Sequence, residues 1–135
     1  MAKTTVISGV GAGLGASLVW KFAREGHQVG MFARSRGYIQ SLEEELKREG
    51  LAGLAVPTDI ADPDQVKHGF ATVREQLGPV DILINHAGNA AWGDFSGLTA
   101  EGFEQSWRVC ALGSFLCSKE AVPDMLTSGG GAMLF

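Results

Sequence analysis

Short apolar runs alternate with longer amphipathic stretches along this chain. Thr4 to Ser8 is a brief run with a β-branched, apolar centre that leads directly into Gly9-Val10-Gly11-Ala12-Gly13-Leu14-Gly15, so a first strand is predicted to end at a glycine turn. Leu14, Leu18 and Phe22 then recur at four-residue steps up to Gly26, the spacing of one helical face closed by a glycine stop. Gln28 to Ala33 predicts a second strand. Ile39, Leu42 and Leu46 predict a helix ended by Gly50, and Glu43, Glu44, Glu45, Lys47 and Arg48 form its solvated face. Leu54 to Thr58 predicts a third strand, and Asp62-Pro63 reads as an N-cap with proline at the first helical position. Val66, Phe70, Val73 and Leu77 carry that helix to Gly78-Pro79. Asp81 to Asn85 predicts a fourth strand whose Ile82-Leu83-Ile84 is continuously apolar, as in a central strand covered on both faces. Thr99 then caps a long helix with Phe103, Trp107, Ala111 and Ser114 at helical intervals, kinked or ended by Pro123. After Gly129-Gly130-Gly131, Ala132 to Phe135 begins a fifth strand.

Strand and helix in alternation predict a Rossmann-type α/β fold, a doubly wound parallel sheet of about five strands. The 135 residues suffice for one domain with a core and are too few for two. Hydrophobic residues make up 45% and charged ones 19%, a composition that folds and does not remain disordered. A net charge of −4 with 11 Lys plus Arg and no basic run argues against nucleic acid or an anionic membrane as partner. With no signal-peptide core and no apolar stretch near the roughly 18 residues of a membrane span, a cytoplasmic protein is expected. Cys110 and Cys117 lie seven residues apart in a helical pattern, about 10 Å along the axis, too far for a disulfide, and both read as buried thiols. His27, His68 and His86 are scattered, so no metal site is expected; the first two read as surface or turn histidines.

Chemistry is expected where the first strand meets its helix. Glycines there allow a tight turn and close backbone approach, and the free amides of the helix N-terminus meet an anion, which makes this a phosphate cradle. Two registers fit: Gly11-Ala12-Gly13-Leu14-Gly15-Ala16 as G-x-G-x-x-A, or Gly9, Gly13 and Gly15 as G-x-x-x-G-x-G. The second is preferred because Gly9 immediately follows the strand. At the end of the second strand, where an NAD-binding domain presents a carboxylate to the ribose hydroxyls, stand Ala33-Arg34-Ser35-Arg36. A guanidinium there suits a 2′-phosphate, so NADP is favoured over NAD; the competing reading leaves both arginines as solvated loop charges.

Ser8-Gly9-Val10-Gly11-Ala12-Gly13-Leu14-Gly15 resembles the T-G-x-x-x-G-x-G turn of the short-chain dehydrogenase/reductase family. Thr58-Asp59-Ile60 resembles the Asp-Val that follows that family's third strand, and Asn85-His86-Ala87-Gly88 resembles its N-N-A-G. The chain is thus similar over its whole length to the N-terminal, cofactor-binding half of the family. The resemblance implies a dinucleotide-binding domain over residues 1–135, incomplete at its C-terminus, and hydride transfer between NADP(H) and a small carbonyl or alcohol substrate. It implies cofactor contacts from Gly9, Gly11, Ala12, Gly13, Leu14, Gly15, Arg34, Ser35, Asp59, Ile60, Asn85, Ala87 and Gly88, with the Asp59 carboxylate at the adenine amino group.

The departures from the family pattern bear on activity. His86 replaces an asparagine and reads as a structural substitute; Cys110, in Val109-Cys110-Ala111-Leu112-Gly113, stands where the family's V-N-x-x-G has its catalytic asparagine. The family's serine after strand five and its Y-x-x-x-K pair have no counterpart, the only tyrosine being Tyr38. No catalytic residue is therefore expected within the chain, which alone should be inactive. One alternative is a dinucleotide-binding pseudoenzyme or natural truncation without catalysis. Another is an S-adenosylmethionine-dependent methyltransferase, since Gly9-Val10-Gly11-Ala12-Gly13 also reads as G-x-G-x-G, though Arg34 stands where that class places an acid. Trp92 either reaches the pocket mouth or packs on its own domain, and the apolar edge at Ala132 to Phe135 should make the chain self-associate, as a homo-oligomer or through that edge.

Overall fold

The computed structural model describes residues 2–135. Its strands are β1 (Thr4–Ser8), β2 (Gln28–Ala33), β3 (Gly53–Pro57), β4 (Val80–Asn85) and β5 (Ala132–Leu134), and its helices are α1 (Leu14–Arg24), α2 (Arg36–Arg48), α3 (Pro63–Leu77), α4 (Ala100–Trp107) and α5 (Gly113–Thr127). The strands form one parallel sheet in the order β3-β2-β1-β4-β5. The middle position belongs to β1, not to β4, which lies between β1 and β5. The apolar run of β4 has the cause anticipated for it: Leu83 joins the core on one face of the sheet and Ile84 the core on the other.

Alternation along β1 makes the same division, so the fold is the doubly wound one. Val6, Phe32 and Leu83 pack with Val66, Phe70 and Val73 of α3 and with Cys117, Ala121 and Met125 of α5. Ile7, Met31 and Ile84 pack with Val19 and Ala23 of α1 and with Ile39, Leu42 and Leu46 of α2. Asp62 caps α3, its carboxylate accepting from the Asp64 and Gln65 amides at 2.9 and 3.3 Å. Arg74 on α3 bonds both carboxylate oxygens of Asp124 on α5, which also accepts from the Val80 amide at 3.0 Å, so the two helices are fastened to the start of β4.

Three helical expectations are corrected. α1 turns Gly15, Val19 and Ala23 to the sheet, while Leu14 is 62% exposed and Leu18 and Phe22 sit at the margin; small residues let the helix approach the strands. Pro123 does not end the last helix, which runs to Thr127, because it lies on the solvent side where water can take the carbonyl that its missing N–H leaves free. The long helix capped by Thr99 is interrupted by a π-turn at Arg108–Leu112. Before and within that turn it buries nothing, leaving Phe103, Trp107 and Ala111 exposed; after it, Gly113, Cys117, Ala121 and Met125 face the sheet. β3 also begins one residue earlier than predicted and ends at Pro57. Trp92 does neither thing expected of it: it is 94% exposed and lines no wall of the crevice described next.

Candidate functional site

The chain leaves β1 toward β2 on one side and reaches β4 on the other, so the carboxyl ends of β1 and β4 splay at a topological switch point, where doubly wound sheets place their ligands. A crevice of about 500 Å³ opens there, walled by the residues that follow β1, β2, β3 and β4 and by Val109 of the π-turn.

The glycines of the first turn divide into two kinds. Gly9 has φ +75°, and a Cβ on it would stand 2.4 Å from Ala87 Cα, so its missing side chain lets the ends of β1 and β4 touch. Ser8 fastens the same junction from inside the sheet, its hydroxyl accepting from the Ala87 amide at 3.3 Å and donating to the Ile84 carbonyl at 3.5 Å. Gly15 is tight as well, with Val10 Cα 3.0 Å and His86 Cδ2 3.3 Å from the position of a Cβ. Gly11 and Gly13 are different: a Cβ on either would meet nothing within 4 Å. With Ala12 and Leu14 they form the exposed tip of the turn, outside the crevice wall, where α1 starts without a side-chain cap. The Ala16 and Ser17 amides donate to the Gly11 and Gly13 carbonyls, leaving the amides before them without intrahelical partners.

Arg34 and Asp59 both line the crevice; Ser35 does not, and serves as the N-cap position of α2 without a side-chain bond. Among the described residues Arg34 makes no ion pair. Asp59 is set in place by its amide donating to Gln65 Oε1 at 2.8 Å and by Oδ1 accepting from the Ala61 amide at 3.0 Å, which leaves Oδ2 free among the described residues. Ile60 is buried beside it, and Gly113 lets α5 cross: a Cβ on Gly113 would stand 2.6 Å from Ile60 Cδ1. Asn85, at the end of β4, donates through Nδ2 to Ser118 Oγ at 3.4 Å, while its Oδ1 is buried without a partner among the described residues.

Six wall residues lie outside the sequence-based expectation: Val10, Ala33 and Thr58, each next to an expected position, and His86, Asn89 and Val109. The signal for His86 was its departure from the motif; it lines the crevice, with its ring close to Gly15. Cys110 is not buried as expected; it is exposed and lies outside the wall, with its carbonyl accepting from Ser114 Oγ at 2.8 Å. Cys117 is the buried thiol, pushed up to about 12 by burial and then by the Glu120 carboxylate. Among the described residues no group of three His, Cys, Asp or Glu is placed to hold a metal, and no helix is long and apolar enough to cross a membrane.

A cradle open at Gly11 and Gly13, a cation after β2 and a carboxylate after β3 can together hold an extended, phosphate-bearing ligand with a polar ring at one end, while Asn85, with its buried Oδ1, does not line the crevice. The family model of short chain dehydrogenases matches residues 3–135. The chain belongs to the short-chain dehydrogenase family. Within the family it is 31% identical over 139 residues to a 3-oxoacyl-[acyl-carrier-protein] reductase of Staphylococcus aureus, across 99% of this chain and 55% of that protein. The structure of an L-sorbose reductase from Gluconobacter frateurii, complexed with NADPH and L-sorbose, superposes with a TM-score of 0.91 at 29% identity, over 98% of this chain and 51% of the other. That of a blue fluorescent protein from a metagenomic library in complex with NADPH gives 0.84 at 28% identity, over 90% and 50%. The chain therefore spans about half the length of these three proteins.

Proposed function

We propose that the crevice binds NADP(H) and that this chain is the cofactor-binding part of a short-chain oxidoreductase, acting between NADP(H) and a small carbonyl or alcohol compound. Arg34 carries the reading: a guanidinium free of ion pairs among the described residues, on the crevice wall at the end of β2, suits a 2′-phosphate, where a carboxylate would favour NAD. In this assignment the amides of Gly11 to Gly15 hold the diphosphate, with Gly9 shaping their turn and Ser35 assisting Arg34. Asp59 and Ile60 meet the adenine, and Asn85, Ala87 and Gly88 flank the nicotinamide ribose. A bound nicotinamide supplies or accepts the hydride; the residues of this chain bind and orient it. NADPH in the two structural relatives supports the cofactor, and the reductase names of two relatives support a carbonyl substrate.

Calorimetric titration with NADPH and NADH tests the assignment. The wild-type chain should prefer NADPH, and Arg34→Asp should reverse the order by about tenfold or more, the worth of one charged hydrogen bond. Equal preference before and after the substitution would reduce Arg34 to a surface charge.

A second reading, binding without turnover, is favoured by Cys110, since a thiol cannot offer what an asparagine amide offers. Positioned acid and base groups supply about 10²- to 10⁴-fold in rate. We therefore expect this chain to bind NADPH without oxidising it against a panel of aldehydes and ketones, and steady turnover would exclude that reading.

A further inference from the structure

One wall of the crevice is not built on the sheet. Beyond β4 the chain passes through Gly88, Asn89, Ala90 and Ala91 without regular structure, and Gly88 and Asn89 line the crevice. The support for this segment comes from the helix that crosses it. Ser106 Oγ accepts from the Ala91 amide at 3.2 Å. One turn on, Cys110 Sγ accepts from the Asn89 amide at 3.4 Å and lies 3.3 Å from the Asn89 carbonyl, to which it donates. One turn back, a Cβ on Gly102 would already touch Ala91 Cβ at 3.4 Å. Gly102, Ser106 and Cys110 thus present one edge to the loop, and both main-chain groups of Asn89 are satisfied by a single sulfur.

We propose that Cys110 is a positioning residue for the pocket: its thiol, donor and acceptor at once, sets the place of Asn89 and through it the wall that a bound dinucleotide meets. The side chain required here must give and take a hydrogen bond within one residue, which alanine and valine cannot do and which a thiol does weakly. The loop is therefore held less firmly than a hydroxyl or amide would hold it. Cys110 is exposed and Cys117 buried, so a thiol reagent distinguishes the clasp from the core. The clasp stands on these contacts alone; its effect on a dinucleotide rests on the function proposed above.

The test has one arm without cofactor and one with it. In the ligand-free protein, Cys110→Ala should speed amide–water exchange at Asn89, read by NMR, by about two- to tenfold, the worth of an ordinary hydrogen bond, while β1 and β4 amides keep their rates. Cys110→Asn, whose side chain both donates and accepts, should restore slow exchange. Unchanged exchange at Asn89 in Cys110→Ala overturns the clasp. In the second arm Cys110→Ala should weaken NADPH by a similar factor and Cys110→Asn recover it, as linkage between loop and ligand requires, and NADPH, by holding Asn89 against the thiol, should slow N-ethylmaleimide labelling of Cys110. Faster exchange with unaltered NADPH affinity overturns the positioning role. A wild-type chain that binds no NADPH removes the proposed function and the positioning role with it, and the first arm still reports whether the thiol holds the loop.

Discussion

Replacing Gly9 by alanine should destabilise the fold at the junction on which the crevice depends. The new methyl group meets two obstacles. At φ +75° an L-residue is in the left-handed region, at a cost of about 1–2 kcal/mol. Its Cβ would also lie 2.4 Å from Ala87 Cα and 2.8 Å from Ala87 N, and these are backbone atoms that cannot swing aside as a side chain would. Forcing such an overlap in a packed interior costs roughly a further 1–3 kcal/mol, through displacement of the β4 end and of the Ser8 bond to Ala87. A loss of about 2–5 kcal/mol is a large share of a domain's ordinary 5–15 kcal/mol, and in a chain of this size it should lower Tm by about 10–20 °C. Thermal unfolding followed by circular dichroism reads this directly. Gly13→Val is the matched control: its Cβ has nothing within 4 Å, so Tm should hold within about 2 °C, while NADPH binding, by calorimetry, should disappear as the side chain blocks the diphosphate's approach to the amides. Unchanged Tm in Gly9→Ala would refute the close-contact argument, and unchanged NADPH affinity in a folded Gly13→Val would refute the phosphate cradle.

Two further outcomes are expected. Burial holds the Cys117 proton from the ordinary 9.0 up to about 12, so above pH 9 the unfolded chain loses a proton that the folded chain keeps. Stability should then be insensitive to this group below pH 9 and fall between pH 9 and 12 by up to about 1.4 kcal/mol per unit; urea unfolding of Cys117→Ala with the same alkaline slope would contradict it. Among the described residues β5 pairs only with β4 and leaves Leu134 and Phe135 exposed, so light scattering should show self-association that Leu134→Lys reduces, and a monodisperse wild-type monomer would count against it.

What could be read from the sequence was what is decided locally. Asp62-Pro63 announces a helix because the carboxylate caps its own next turn, and Gly9 announces the strand end because no other residue turns there cheaply. Arg34 could be placed because it follows a strand whose end the pattern located. Contacts decided by distant chain were not legible. Leu14, Leu18 and Phe22 share their four-residue step with Gly15, Val19 and Ala23, and only the sheet's demand for close approach chooses the smaller set. Phe103, Trp107, Ala111 and Ser114 were read as one face because a π-turn has no composition of its own. His86, Asn89 and Val109 entered the wall through the meeting of β4 with a helix that begins fifteen residues after it.

That π-turn has a consequence for how the protein can change over generations. A π-turn is an α-helix carrying one residue too many, and one residue corresponds to about 100° of rotation about the axis. The stretch ahead of Arg108 and the stretch behind Leu112 are thus a single rod in two phases: one phase points Gly102 and Ser106 at the loop, the other points Cys117 and Ala121 at the sheet, with Cys110 in the turn between them. A codon lost between residues 108 and 112 would leave the sheet-facing half where it is and rotate the loop-facing half about a quarter turn away. The extra residue therefore lets the crevice wall and the hydrophobic core be adjusted separately by mutation, although both hang from the same helix.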